Sequence, residues 1–128
     1  MNAVDLLLLF PNNRPRAYGS LGTDIAAVTP PVQLGLLAAY ARQQGLAVEL
    51  LDADAEGIRP DQVAGRVGES VPALVIVGTD QVNSGDVTKM QAAGETVRAI
   101  HKLAPGIPVL LDGVVPSAYP ERILRDEE

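Results

Sequence analysis

Between Thr29 and Asp54 the chain reads TPPVQLGLLAAYARQQGLAVELLDAD, and this stretch limits what the rest can fold into. Thr29 offers a capping hydroxyl, and Pro30 and Pro31 suit a first helical turn, where proline has no N–H to lose and its φ is already near helical. Leu34, Leu37, Ala38 and Ala41 recur at helical spacing and make one apolar stripe, Arg42 to Gln44 form a polar last turn, and Gly45 is a left-handed stop. Leu46 to Leu51 follows as a short apolar run ending at Asp52, which reads as a buried strand. A helix feeding directly into a buried strand is the second half of a β-α-β unit. Parallel strands need a crossover packed on the sheet, so this unit predicts parallel neighbours.

Three other segments supply those neighbours: Ala3 to Phe10 (AVDLLLLF), Ala73 to Gly78 (ALVIVG) and Ile107 to Leu111 (IPVLL). A weak helix from Pro60 carries Val63, Ala64 and Val67 on a narrow apolar face interrupted by Gly65 and Gly68. The longest helix runs from Asp86 to Leu103, with Val87, Met90, Ala93, Val97 and Ile100 inward and Lys89, Glu95, Arg98 and Lys102 outward. Pro120 to Arg125 starts another. Asn12 to Val28 shows no sustained period and is expected to be an ordered loop with a helical turn near Asp24 to Ala27, while Asp54 to Arg59 is a polar connection. The sum is one α/β domain of 128 residues, a parallel sheet with helices on both faces. Aromatics are only 3% of residues, so its core is built from Val, Leu, Ile and Ala. A hydrophobic sheet edge left after the fourth strand gives the expectation that the natural protein continues past Glu128.

The net charge of −6, with no Lys/Arg cluster, repels phosphate backbones and anionic membrane surfaces, so neither nucleic acid nor membrane is an expected partner. The absence of cysteine excludes disulfides, thiolate metal sites and sulfur redox chemistry in these residues. Leu6 to Phe10 is too short for a membrane span or a signal h-region. A soluble, cytoplasmic protein is expected.

Open parallel sheets bind ligands outside the carboxyl ends of their strands. Three loops should meet there, Asn12 to Val28, Thr79 to Gly85 and Gly113 to Tyr119, with Gly19, Gly22, Gly85 and Gly113 letting backbone approach a flat ligand. Asp80 has the position of a receiver phosphoacceptor, but that chemistry needs an acidic pair after the first strand, where this chain has Pro11-Asn12-Asn13; Asp5 is at the strand's other end. Gly19-Ser20-Leu21-Gly22 comes too late for a dinucleotide fingerprint. His101 is the single histidine and has no catalytic context. No acid/base pair, hydrolase triad or metal-ligand spacing is visible, so no catalytic residue is assigned.

Pro30 to Ala53, with its PP-x-x-L-G-L-L-A-A-Y-A-R-x-x-G pattern, resembles the N-terminal cobalamin-binding domain of cobalamin-dependent radical S-adenosylmethionine enzymes. The likeness extends through Ile107 to Gly113 and through Pro116 to Glu121, which are similar to that family's segment after strand four; the paired glycine there is Asp112-Gly113 in this chain. The resemblance implies a flavodoxin-like sheet of order 2-1-3-4, its fifth strand missing, with the corrin ring across the strand ends. It implies cofactor contacts from Asn12, Asn13, Thr79, Gln81, Val82, Ser84, Gly85, Thr88, Gly113, Val114 and Pro116, with the nucleotide tail near Ser84 and Thr88. With no histidine after the first strand, the cobalamin would be base-off and histidine-off, Gln81 or Val82 near its lower face. The C-x-x-x-C-x-x-C cluster motif is absent. S-adenosylmethionine and the iron-sulfur cluster would therefore belong to a C-terminal radical domain outside this chain, acting as a methyltransferase or on a related reaction. The alternatives are a flavodoxin-like signalling or interaction domain without cofactor, and a small α/β enzyme or nucleotide binder.

Overall fold

Five consecutive apolar residues, Leu6–Phe10, form the central strand β1 in the computed structural model, which describes residues 3–22, 24–79 and 87–126. The chain continues through α1 (Arg14–Tyr18), a 3-10 turn (Gly19–Gly22), α2 (Val32–Gln43), β2 (Val48–Asp52), α3 (Ala53–Glu56) and α4 (Pro60–Ser70). It ends with β3 (Leu74–Gly78), α5 (Val87–Leu103), β4 (Val109–Asp112), α6 (Val114–Ala118) and α7 (Pro120–Asp126). The strands make one parallel sheet of order β2-β1-β3-β4, the flavodoxin-like order that the resemblance implies.

Leu7, Leu8 and Leu9 have no exposed surface, because β1 is covered on both faces; each such leucine contributes about 2 kcal/mol relative to exposure. Leu7, Leu9, Leu51, Val75 and Val77 point to one face, against Val63, Ala64 and Val67 of α4 and Ala93, Val97 and Ile100 of α5. Leu8, Phe10 and Ile76 point to the other, against Leu34 and Ala38 of α2. On that second face Leu50, Leu8, Ile76 and Leu110 stand in one cross-strand row. The middle of the row is buried, while Leu110 is 47% exposed, so α2 leaves the β4 flank open.

Several boundaries differ from expectation for local reasons. β1 starts at Leu6, not Ala3, because Asp5 turns aside: its carboxylate accepts the Ala47 N–H at 2.7 Å and its own N–H donates to the Ala47 carbonyl at 2.9 Å. α2 starts at Val32 with Pro31 as its cap, since Pro30 precedes a proline and is kept out of the helical region; Thr29 is therefore not the cap. Gly45, at φ +86°, is the left-handed stop. β2 begins at Val48 because the Leu46 N–H is still bonded to the Ala41 carbonyl of the helix.

Helix replaces loop in three places: α1 stands at Arg14–Tyr18 rather than near Asp24, α3 occupies part of the expected polar connection, and α6 follows β4 directly. The α4 face of Val63, Ala64 and Val67 is buried as expected, but Lys89, expected to point outward, is only 6% exposed.

Candidate functional site

The chain crosses from β1 to β2 on one side and returns past β1 to β3 on the other, so the sheet has its switch point between β1 and β3. Loops leaving such a point diverge and open a crevice at the carboxyl ends. The described residues there are Pro11 to Asn13 after β1, Thr79 after β3 and Gly113 after β4.

A buried carboxylate organises the first of these segments. Asp54, 6% exposed, accepts the backbone N–H groups of Asn13 at 3.0 Å and Arg14 at 3.2 Å through one oxygen. Its other oxygen is 3.9 Å from the Arg14 Nε, and the Arg14 guanidinium donates to the Asp54 and Ala55 carbonyls. Asn12 Nδ2 donates to the Ile58 carbonyl at 3.2 Å, and Asn13 Nδ2 to the Thr88 hydroxyl at 2.8 Å. Arg16 completes the tie to α5 through Gln91 and Glu95. Asn13 and Thr88 are thus brought together while Asn12 turns to the Ile58 carbonyl, and these bonds fix the first loop against α3 and α5.

Thr79 is 5% exposed, and both its N–H and its hydroxyl donate to the Asp112 carbonyl, at 2.9 and 3.0 Å, which locks the ends of β3 and β4 together. Gly113 has φ +147°, a conformation side-chain-bearing residues rarely adopt, and caps α6. Val114 is 55% exposed. Pro116 is buried and lines an apolar groove of about 610 Å³ between β4, α5 and α7, together with Val97, His101, Leu111 and Ile123. Gln81, Val82, Ser84 and Gly85 lie outside the described residues.

Residues the sequence reading passed over also stand at this edge. Gly78 ends β3 so close to α2 that a Cβ there would lie 2.9 Å from Leu34 Cδ1. Beside it, Pro31, Gln33, Leu34, Gly78 and Asp112 line a recess of about 10 Å³, roughly one water in size. The signal for Gly78 was a small residue closing a run of branched ones. Nothing local distinguished Asp54 from its acidic neighbours.

On the β2 side the edge is acidic. Burial raises the Asp52 carboxyl above the ordinary aspartate range; the Ala55 N–H that it accepts opposes this, and the charges of Asp54 and Glu56 add to it. Among the described residues no group of three His, Cys, Asp or Glu side chains could hold a metal ion. No helix among them is long and apolar enough to cross a membrane.

A family model described as a B12 binding domain matches residues 20–128. The chain belongs to the B12 binding domain family. Its fold is also similar to a solved radical S-adenosylmethionine methyltransferase, TsrM from Kitasatospora setae, with cobalamin and a [4Fe-4S] cluster bound. The TM-score is 0.69 at 21% identity, over 99% of this chain and 21% of that chain. No curated protein matches the sequence. Cobalamin is accordingly the cofactor of this B12 binding domain.

The edge fits such a group. Among the described residues the polar side chains beside Gly78 are the Gln33 amide, the Thr79 hydroxyl and the Asp112 carboxylate, groups able to bond a corrin periphery made of amides. The cobalt is already held by the corrin nitrogens and needs no cluster of protein ligands.

Proposed function

We propose that this B12 binding domain is the cofactor module of a cobalamin-dependent radical S-adenosylmethionine enzyme, a methyltransferase or a relative, holding the corrinoid base-off and without histidine at the carboxyl edge of the sheet. S-adenosylmethionine and the iron-sulfur cluster would belong to a separate radical domain. The observation that carries the axial-ligand reading is the place of the only imidazole. His101 lies in the last turn of α5, fourteen residues past the helix start, which at 1.5 Å per residue is about 20 Å from the edge where that helix begins. An imidazole there is out of reach of a cobalt seated over the strand ends.

Thr79, Gly113 and Val114 would hold the corrin from the β3–β4 side, and Asn12, Asn13 and Thr88 would keep the first loop in place beneath it. Gln81, Val82, Ser84 and Gly85 complete the set by the family resemblance. The corrinoid's nucleotide tail, once it leaves the cobalt, would pass near Ser84 and Thr88, as the family resemblance implies. Bound cobalamin supplies a cobalt centre that carries a methyl group. The chain's own residues bind and orient the ring and set what lies below the metal.

The electron paramagnetic resonance spectrum of the reduced cob(II)alamin complex tests the axial assignment. Each cobalt hyperfine line is expected to be single. A triplet from nitrogen superhyperfine coupling would mean that imidazole or the nucleotide base is bound to cobalt, and would overturn it.

A further inference from the structure

We propose that Asp112 is a selectivity residue of this edge: its carboxylate accepts an N–H from an amide side chain of the corrinoid and disfavours corrinoids that present a carboxylate there. The inference rests on the cobalamin reading above and deepens it. Asp112 is in register with Gly78, on the face of the sheet that carries Leu8, Ile76 and Leu110. It is exposed and shares the recess beside α2 with Gln33 and Gly78. The two bonds from Thr79 to the Asp112 carbonyl fix its backbone, so the side chain is delivered from a rigid strand end.

Chemistry decides what such a group can meet. A carboxylate accepts hydrogen bonds and cannot donate them. The corrin rim offers primary amides as donors, whereas an acid in the same place would bring two negative charges together near a low-dielectric wall. The resemblance expects glycine at this position, which would let any periphery approach. An aspartate instead admits a donor-bearing one. Among the described residues no basic side chain lines the recess to neutralise it.

The test is a visible-absorbance titration of the 128-residue chain and its Asp112→Asn variant with hydroxocobalamin and its b-, d- and e-monocarboxylic derivatives, each with one amide hydrolysed to an acid. Asparagine can both accept and donate. For one derivative, the penalty relative to hydroxocobalamin is expected to be about tenfold greater in the parent than in Asp112→Asn, the size expected of one hydrogen bond to a charged group. Equal penalties for all three derivatives in both proteins, with hydroxocobalamin still bound, would overturn the role of Asp112 and leave the cobalamin reading standing. Failure of both proteins to take up hydroxocobalamin would overturn both.

Discussion

Replacing Asp54 with alanine is expected to lower the unfolding free energy by about 3 kcal/mol, because it strips the acceptor from buried donors and leaves a guanidinium without its carboxylate. The Asn13 and Arg14 N–H groups both end on one Asp54 oxygen, in a segment where Asn13 is 7% exposed, so water cannot simply replace the lost acceptor. Arg14 keeps its bonds to the Asp54 and Ala55 carbonyls but loses its charge partner. Asp54→Asn should recover most of the loss, since an amide oxygen still accepts both N–H groups. Chemical denaturation of the three proteins checks this. A cost below about 1 kcal/mol for alanine would show that the first loop is held by something else.

The second large effect concerns the close approach of α2 to the end of β3. Gly78→Ala puts a carbon where Leu34 already is, 2.9 Å from Cδ1 and 3.0 Å from Cγ, and Leu34 is itself buried at 3% exposed. Such overpacking costs about 1–3 kcal/mol. Leu34→Ala alone empties the same space at about 2–5 kcal/mol. Combined, the new methyl occupies part of the vacated volume, so the double variant should be more stable than the sum of the two costs by about 1 kcal/mol or more. Strict additivity would mean that the two residues do not compete for space.

How far the sequence disclosed this molecule follows from where each element gets its stability. β1, β3 and the α2 stripe were legible because their own apolar residues drive their burial; Leu34, Ala38 and Ala41 are buried at the spacing read from the sequence. α1, α3 and α6 were not, because helices of four or five residues cannot sustain themselves and depend on groups outside their own ladder. α1 exists because Asp54, forty residues away, accepts its first N–H, and α3 because Asp52 caps it through the Ala55 N–H. Lys89 was misplaced for a related reason. Its place on the α5 stripe with Ala92, Ala93 and Thr96 is buried, and a long charged side chain at the end of such a stripe reads as solvent-facing when residue type alone is weighed.

For the candidate site, strand ends and the glycine of Asp112-Gly113 pointed to the edge. There the Asn13 amide bonds the Thr88 hydroxyl, the Asn12 amide turns to the Ile58 carbonyl, and Thr79 is tied to Asp112. Asp54 could not be singled out, since its role depends on the three-dimensional meeting of the β1 loop with α3.

The central claim is that a corrinoid seats on the carboxyl edge of this sheet, and the most direct measurement is retention of colour. The purified chain is mixed with excess hydroxocobalamin, freed of unbound ligand by gel filtration, and its visible spectrum recorded alongside that of Gly113→Val, which places a branched side chain at φ +147° on the proposed rim. The account predicts a coloured parent with about one corrinoid per chain and a folded but largely colourless variant. A colourless parent, or a Gly113→Val protein that retains cobalamin as well as the parent does, would contradict it.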